Sequence, residues 1–224
     1  MRKLTKTTVS IAAAAAIIAG GAGFGLTAAN AAPAHKAAAS SSSIPAPVAA
    51  VPAIKGGNTA VKLDSGFTDA LKSLGLTPGV AGSATLTDGS VHFPITGGSV
   101  VYWSPKGDYR PYVQGILEHD GSGLTLTAGS TTVTLSNFTV NPGNSRLYGD
   151  VAVDGKTAVS QAYLFSLHGG TLKPLQLEGN DAILTGTTVH VSSDAAALLN
   201  KTFSTDAVKG GLLVGVATIT AQIK

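Results

Sequence analysis

Aromatic side chains supply most of the binding chemistry that this sequence offers. Four of the twelve aromatic residues, Tyr102, Trp103, Tyr109 and Tyr112, fall in the segment Y-W-S-P-K-G-D-Y-R-P-Y, together with Arg110. Rings beside a guanidinium can present a flat surface that suits a sugar face, a porphyrin or a partner protein. The alternative is that these rings only cover one end of the fold. We take all five residues as candidate ligand-binding residues.

His119 is a second candidate for ligand binding, and it ends the segment Y-V-Q-G-I-L-E-H. Alternation along a strand places Leu117 and His119 on one face, and Ile116 and Glu118 on the other. The histidine therefore ends an apolar face. There it is either a structural residue satisfied by a backbone group or a contact for a ligand or metal.

Catalytic and metal-binding motifs are missing from the sequence. The chain has no cysteine and no G-x-S-x-G elbow, and its histidines are scattered without H-x-H or H-x-x-x-H spacing. We therefore predict a non-enzymatic protein with no catalytic residues and no metal site. A carbohydrate-active protein stays as an alternative, because two carboxylates that meet only in space leave no motif in the sequence.

Short antiparallel strands are expected to position these residues. Segments rich in Val, Ile, Thr, Tyr and Phe alternate with Gly, Pro, Asp and Ser. Helices are expected at two places, after Asp64 or Ser65 and after the capping run Ser192-Ser193-Asp194. The fold class predicted is all-β, an antiparallel β-sandwich of about ten strands with two short helices. Strands are placed near 82–87, 91–95, 99–103, 112–118, 123–127, 131–140, 146–153, 161–167, 175–178, 182–191 and 211–222.

Three segments are predicted along the chain. Residues 1–31 have a basic start, an apolar run and the small-x-small sequence Ala29-Asn30-Ala31, which is typical of a secretory signal peptide. Residues 32–57 are rich in Ala, Pro and Ser and are expected to be a disordered tether. Residues 58–224 are expected to form the β-sandwich domain. The mature protein is thus predicted to be secreted, with an association to the cell envelope left open.

The charge of the mature chain limits its partners. Lys and Arg number 15 against 12 Asp and Glu, but Arg2, Lys3 and Lys6 lie in the predicted signal, which leaves 12 against 12. A chain without net positive charge gives no electrostatic reason to expect nucleic acid as a partner. We expect a small-molecule or cell-wall ligand and no transmembrane segment in the mature chain, and the sequence leaves the oligomeric state open.

The order of motifs over residues 60–222 resembles the secreted actinobacterial domains related to the HtaA haem-binding domain. The motifs are a helix with S-G-F-x-x-A-L, then V-H-F-P-I-T-G-G, G-I-L-E-H-D-G-S-G-L-T-L, V-T-L-S-N-F-T-V and L-Y-G-D-V-A-V, followed by D-A-A-A-L-L-N. The resemblance implies an antiparallel β-sandwich with a small helix. It also implies haem bound through a tyrosine near the first helix, with a histidine nearby.

The sequence departs from this family pattern at the iron ligand. His119 matches the family's histidine, but the expected tyrosine position, a few residues after Phe67, is close to Ala70. The main hypothesis is therefore a secreted or cell-surface, non-enzymatic binding or envelope module with an HtaA-like scaffold, for which no cofactor is expected. The alternatives are a haem-binding module for iron acquisition, using His119 with Tyr102 or Tyr112, and a carbohydrate-binding protein with Trp103 on an exposed face.

Overall fold

Antiparallel strands dominate the computed structural model, which describes residues 44–224. Within that range the strands are β1 (Ala49–Val51), β2 (Gly56–Leu63), β3 (Thr77–Gly82), β4 (Thr85–Thr87), β5 (Ser90–Pro94), β6 (Gly97–Tyr102), β7 (Val113–Ala128), β8 (Thr131–Asn141), β9 (Arg146–Val153), β10 (Lys156–His168), β11 (Gln176–Glu178), β12 (Asp181–Val191) and β13 (Leu213–Gln222). The helices are α1 (Ser65–Ser73) and α2 (Ser193–Phe203).

All thirteen described strands belong to one sheet. Eleven follow the path β1-β6-β7-β8-β9-β10-β12-β13-β2-β5-β4, while β11 pairs with β12 and β3 pairs with β7. The sheet curls, so that strands distant along this path face each other across an apolar interior. The Phe93 ring on β5 meets the Phe138 ring on β8 edge-on, with 5.3 Å between the ring centroids. The predicted all-β class with two short helices is confirmed, and one curled sheet supplies both faces of the sandwich.

Both helices begin where the sequence predicts. The Asp64 side chain accepts hydrogen bonds from the backbone N–H groups of Gly66 and Phe67, and Ser192 caps α2 through the N–H of Ala195. Such caps satisfy backbone donors that a helix start leaves without partners. Each helix then places apolar side chains, including Leu71 and Leu199, into the main hydrophobic cluster.

The central strands differ from the prediction in one respect. Segments 112–118 and 123–127 were expected to be separate, yet they form the single strand β7 with a register shift between His119 and Gly123. A bulge of this kind bends a strand without ending it. The first half of β7 pairs with β6 and the second half pairs with β3, which the sequence did not predict.

The beginning of the ordered domain is corrected by the structure. Part of the predicted tether forms β1 and the first residues of β2, and Ile54 is buried. Alternation in these segments is hidden by Ala, Pro and Gly, so composition alone misled the prediction. The predicted signal peptide and the tether up to residue 43 lie outside the described residues. Among the described helices, none is long and apolar enough to span a membrane.

Two glycines allow β6 and β7 to approach closely. Gly98 and Gly115 have φ values of +128° and +131°, a region that side chains rarely adopt. A Cβ on Gly115 would lie 2.0 Å from the carbonyl oxygen of Ser99. Pairing of these strands therefore requires glycine at this position.

We predict that Gly115→Ala destabilises the domain by about 3 kcal/mol, because the added methyl group combines backbone strain with a backbone clash. Denaturant unfolding monitored by circular dichroism measures the change. Gly170→Ala is the matched control, because a Cβ there has nothing within 4 Å. Equal stability of the two variants would contradict this explanation of the β6–β7 pairing.

Candidate functional site

A large apolar groove, here called the tyrosine groove, lies between the N-terminal segment, strands β6 and β7, and the loop before β11. Its volume is about 840 Å³, within the range of ~300–1,000 Å³ that is typical of small-molecule and cofactor sites. The walls are mostly aliphatic, with Tyr102, Tyr112 and Arg110 as the main polar groups. The aliphatic lining includes Val48, Val51, Ile54, Val100, Val113, Leu117, Val140, Leu167, Leu172, Leu175, Leu177, Leu184, Ile219 and Ile223.

The two tyrosines of the groove form an edge-to-face pair. Tyr102 ends β6 and Tyr112 immediately precedes β7, and their ring centroids are 6.1 Å apart at an interplanar angle of 88°. Burial, with a smaller effect of neighbouring Tyr112, raises the pKa of the Tyr102 phenol above its usual value. The Tyr102 phenol is therefore neutral near pH 7, and anything that requires its phenolate must displace a proton.

Arg110 shapes the loop between β6 and β7. Its guanidinium donates to the carbonyl oxygens of Pro105, Gly107 and Tyr109 at 3.0, 2.6 and 2.9 Å. The same guanidinium lies 5.6 Å from the centroid of the Tyr112 ring. Arg110 thus holds the loop in shape and places a positive charge beside one groove tyrosine.

Trp103 and Tyr109 contact each other and do not line the groove. The Trp103 side chain is only 8% exposed, its indole N–H donates to the carbonyl oxygen of Pro45 at 2.8 Å, and its ring contacts Tyr109 with a centroid separation of 4.7 Å. This indole fastens the N-terminal segment to the loop. An exposed tryptophan face, which the carbohydrate-binding alternative required, is not present at Trp103.

His119 is separated from the groove and lies in the interior of the curled sheet, 2% exposed. Its Nδ1 is 3.3 Å from the carbonyl oxygen of Phe138, so Nδ1–H donates there. Its Nε2 is 2.8 Å from Oγ1 of Thr59, and in the neutral ring it accepts the hydroxyl proton. Both ring nitrogens therefore have partners, one a side-chain hydroxyl and the other a backbone carbonyl.

The His119 ring is held in its neutral form by burial. Desolvation lowers its pKa to about 4, and this outweighs the opposing effects of the Phe138 carbonyl and of Asp120. A small apolar cavity of about 60 Å³ adjoins the ring. Val140, Leu167 and Ile219 line both this cavity and the tyrosine groove, as does Thr187, so the three aliphatic side chains form the apolar part of a partition between the two.

The structure thus brings together three of the six predicted site residues, Tyr102, Arg110 and Tyr112. Sequence reasoning missed the aliphatic walls, of which one comes from the N-terminal segment and another from the loop before β11. Two patterns in the sequence could have indicated these walls. They are the spaced apolar residues Val48, Val51 and Ile54, and the leucines Leu172, Leu175 and Leu177. Within residues 44–224 no three His, Asp or Glu side chains are grouped to hold a metal ion.

Comparison with known proteins establishes the fold. No family model matches the chain, and no curated protein sequence matches it. Among solved structures, the C-terminal domain of HtaA from Corynebacterium glutamicum superposes with a TM-score of 0.53 at 12% identity, covering 77% of this chain and 99% of that one. The chain therefore has the fold of an HtaA domain, as the resemblance in sequence implied.

Two further structures from the same organism align with lower TM-scores. The haem-binding protein HtaB aligns with a TM-score of 0.48 at 14% identity, covering 78% of this chain and 96% of that one. The N-terminal domain of HtaA aligns with a TM-score of 0.48 at 11% identity, covering 76% and 98%.

We predict that Thr59→Val destabilises the domain by about 1–3 kcal/mol, because the buried Nε2 of His119 loses its only donor while the side-chain volume is kept. Equilibrium unfolding in urea measures the loss. Thr218→Val on the neighbouring strand β13 is a control, because its hydroxyl makes no side-chain hydrogen bond within the described part of the chain. Combining Thr59→Val with His119→Leu should cost less than the sum of the single changes.

The stability of the domain should also fall on acidification through His119. Its pKa is lowered on folding, so the unfolded chain binds the proton more readily, and stability is fully present above about pH 6.5 and is lost as the pH falls toward 4. The full loss from this group is about 3 kcal/mol. Unfolding free energies measured between pH 7.5 and 4.5 should fall with pH in the wild type. They should fall in the same way in the control variant His168→Gln, which keeps His119. A His119→Gln variant with the same slope would refute the assignment.

Proposed function

We propose that this protein is an exported, non-enzymatic carrier that binds haem in the tyrosine groove. The observation that carries the proposal is a groove of about 840 Å³ whose aliphatic walls contain two tyrosines and one arginine. The fold of an HtaA domain, and the resemblance to haem-binding members of that family, supply the ligand class. Export is supported by the signal-like sequence of residues 1–31.

Each part of the groove matches one part of a haem molecule. The aliphatic walls can bury the apolar macrocycle, and a tyrosine phenolate is a known protein ligand of haem iron. A carboxylate of the ligand can pair with Arg110. Three of the five guanidinium donors of Arg110 are used by loop carbonyls, so the side chain retains donors for this contact.

Tyr112 is the better candidate for the iron ligand. The guanidinium of Arg110 lies 5.6 Å from the centroid of its ring, so a ligand whose carboxylate pairs with Arg110 lies against this tyrosine. Burial makes ionisation of Tyr102 harder. His119 is not required in this arrangement, because its nitrogens bond to Thr59 and Phe138 and the partition of Val140, Leu167 and Ile219 lies between it and the groove.

This proposal moves the ligand site away from the position expected from the family. The tyrosine expected near Ala70 would lie on α1, whereas Tyr102 and Tyr112 flank the loop between β6 and β7. In this proposal the phenol that binds iron comes from the loop between β6 and β7, and not from α1. The carrier function does not depend on the missing tyrosine.

We expect titration of residues 32–224 with ferric haem to give saturable binding at one site, with a shifted Soret band. Tyr112→Phe should weaken binding at least tenfold and alter the spectrum, because it removes the phenolate without changing the shape of the groove. Affinity should rise with pH, because iron binding releases the phenol proton.

Two control variants test whether haem binding depends on the tyrosine groove. Tyr148→Phe removes a phenol outside the groove lining and should bind haem as the wild type does. His119→Gln should also retain the spectrum of the bound form. If Tyr112→Phe binds as tightly as Tyr148→Phe, Tyr112 is not the ligand, and absence of saturable binding in the wild type would remove the proposed function.

A further inference from the structure

The N-terminal segment 44–53, here called the strap, forms one wall of the tyrosine groove. Its side chains Val48, Ala49 and Val51 line the groove, opposite the aliphatic side chains that precede and enter β11. On that opposite wall Leu177 is 68% exposed, and on the strap Val48 is 67% exposed. Two exposed apolar side chains therefore flank the groove, and a ligand seated between the walls would cover both.

Attachment of the strap to the rest of the domain is slight. Strand β1 pairs only with β6, through three residue pairs, whereas β2 pairs with β13 through eight. Beyond this short ladder, the strap is held by the N–H of Val48 donating to Tyr102, by the indole of Trp103 donating to Pro45, and by packing of the half-buried Val51 against the small hydrophobic cluster around Ile54. Regions with few buried apolar contacts and an edge position open at low cost in free energy.

A fixed point follows the strap directly. Ile54 is buried, its N–H donates to Gly98, and the N–H of Lys55 donates to Gln222. These two bonds tie the chain to β6 and β13 at once. Movement of the strap must therefore pivot between Val51 and Ile54, at Pro52 and Ala53.

We propose that the strap is a hinged wall of the tyrosine groove, which leaves β6 to admit a ligand and pairs with it again to hold the ligand in place. The inference rests on the proposed function for the identity of the ligand. It predicts that the strap controls the rates of haem entry and exit, and that its apolar side chains contribute to affinity.

The register of β1 and β6 permits a direct test. Ala50 pairs with Val101, and both point away from the groove, since their neighbours Ala49, Val51, Val100 and Tyr102 are the lining residues. Directly opposite strand residues lie at Cα separations compatible with a disulfide. The chain has no cysteine, so Ala50→Cys with Val101→Cys introduces a single disulfide outside the groove. We call this disulfide the strap lock, because oxidation joins β1 to β6 and reduction frees it.

Stopped-flow mixing with haem should show association at least tenfold slower for the oxidised lock than for its reduced form, and the reduced form should match the wild type. Haem bound before oxidation should dissociate correspondingly more slowly. A control lock, Thr87→Cys with Ser90→Cys in the β4–β5 hairpin, should show no redox dependence. Equal association rates for the oxidised and reduced strap lock would overturn the proposal.

Hydrogen exchange tests the hinge without any ligand. The amide of Val48 and the indole N–H of Trp103, the single tryptophan, should be released by the same opening, while the Lys55 amide beyond the hinge stays protected. We expect opening free energies that agree for the first two groups and an exchange rate for Lys55 at least tenfold slower. If the wild type binds no haem, the proposed function is wrong but the hinge is not yet contradicted. Equal protection of the Val48 and Lys55 amides would refute the hinge, whether or not haem binds.

Discussion

Closure of one curled sheet is the constraint on which the rest of this structure depends. The side chain of His119 on β7 bonds to the backbone of the neighbouring strand β8, and it also bonds to Thr59 on β2, a strand far from β7 along the sheet. A polar bridge inside an apolar interior is favourable only when all of its groups are satisfied. Here they are, so the histidine specifies how the two halves of the sheet face each other.

The residues that close the sheet differ from those that line the tyrosine groove. The interior around His119 is filled except for a cavity of about 60 Å³, while the groove on the other side of the Val140, Leu167 and Ile219 partition has a volume of about 840 Å³. The interior therefore tolerates little change, whereas the groove can change its lining without loss of the fold.

The sequence predicted well what depends on local patterns. Capping at Asp64 and Ser192, the turns between β8, β9 and β10, and the inward direction of His119 all follow from neighbouring residues. The pairing of β3 with β7 and the strap with β6 could not be predicted, because Ala, Gly and Pro give their strands little alternation and the pairing is set by distant partners.

The candidate site was predictable only in part for the same reason. The loop carrying Tyr102, Arg110 and Tyr112 is concentrated in sequence, whereas the aliphatic walls come from residues near 50 and near 175, which only the folded sheet brings together.

The position of β13 has a consequence for how the domain is made. This strand lies between β12 and β2, and residues 56–63 at the start of the domain pair with 215–222 at its end. Pairing between such distant segments is slow, because loop-closure entropy must be overcome first. The sheet cannot be completed before β13 has been synthesised, so the polypeptide stays without its full core until residues 213–222 are free to pair.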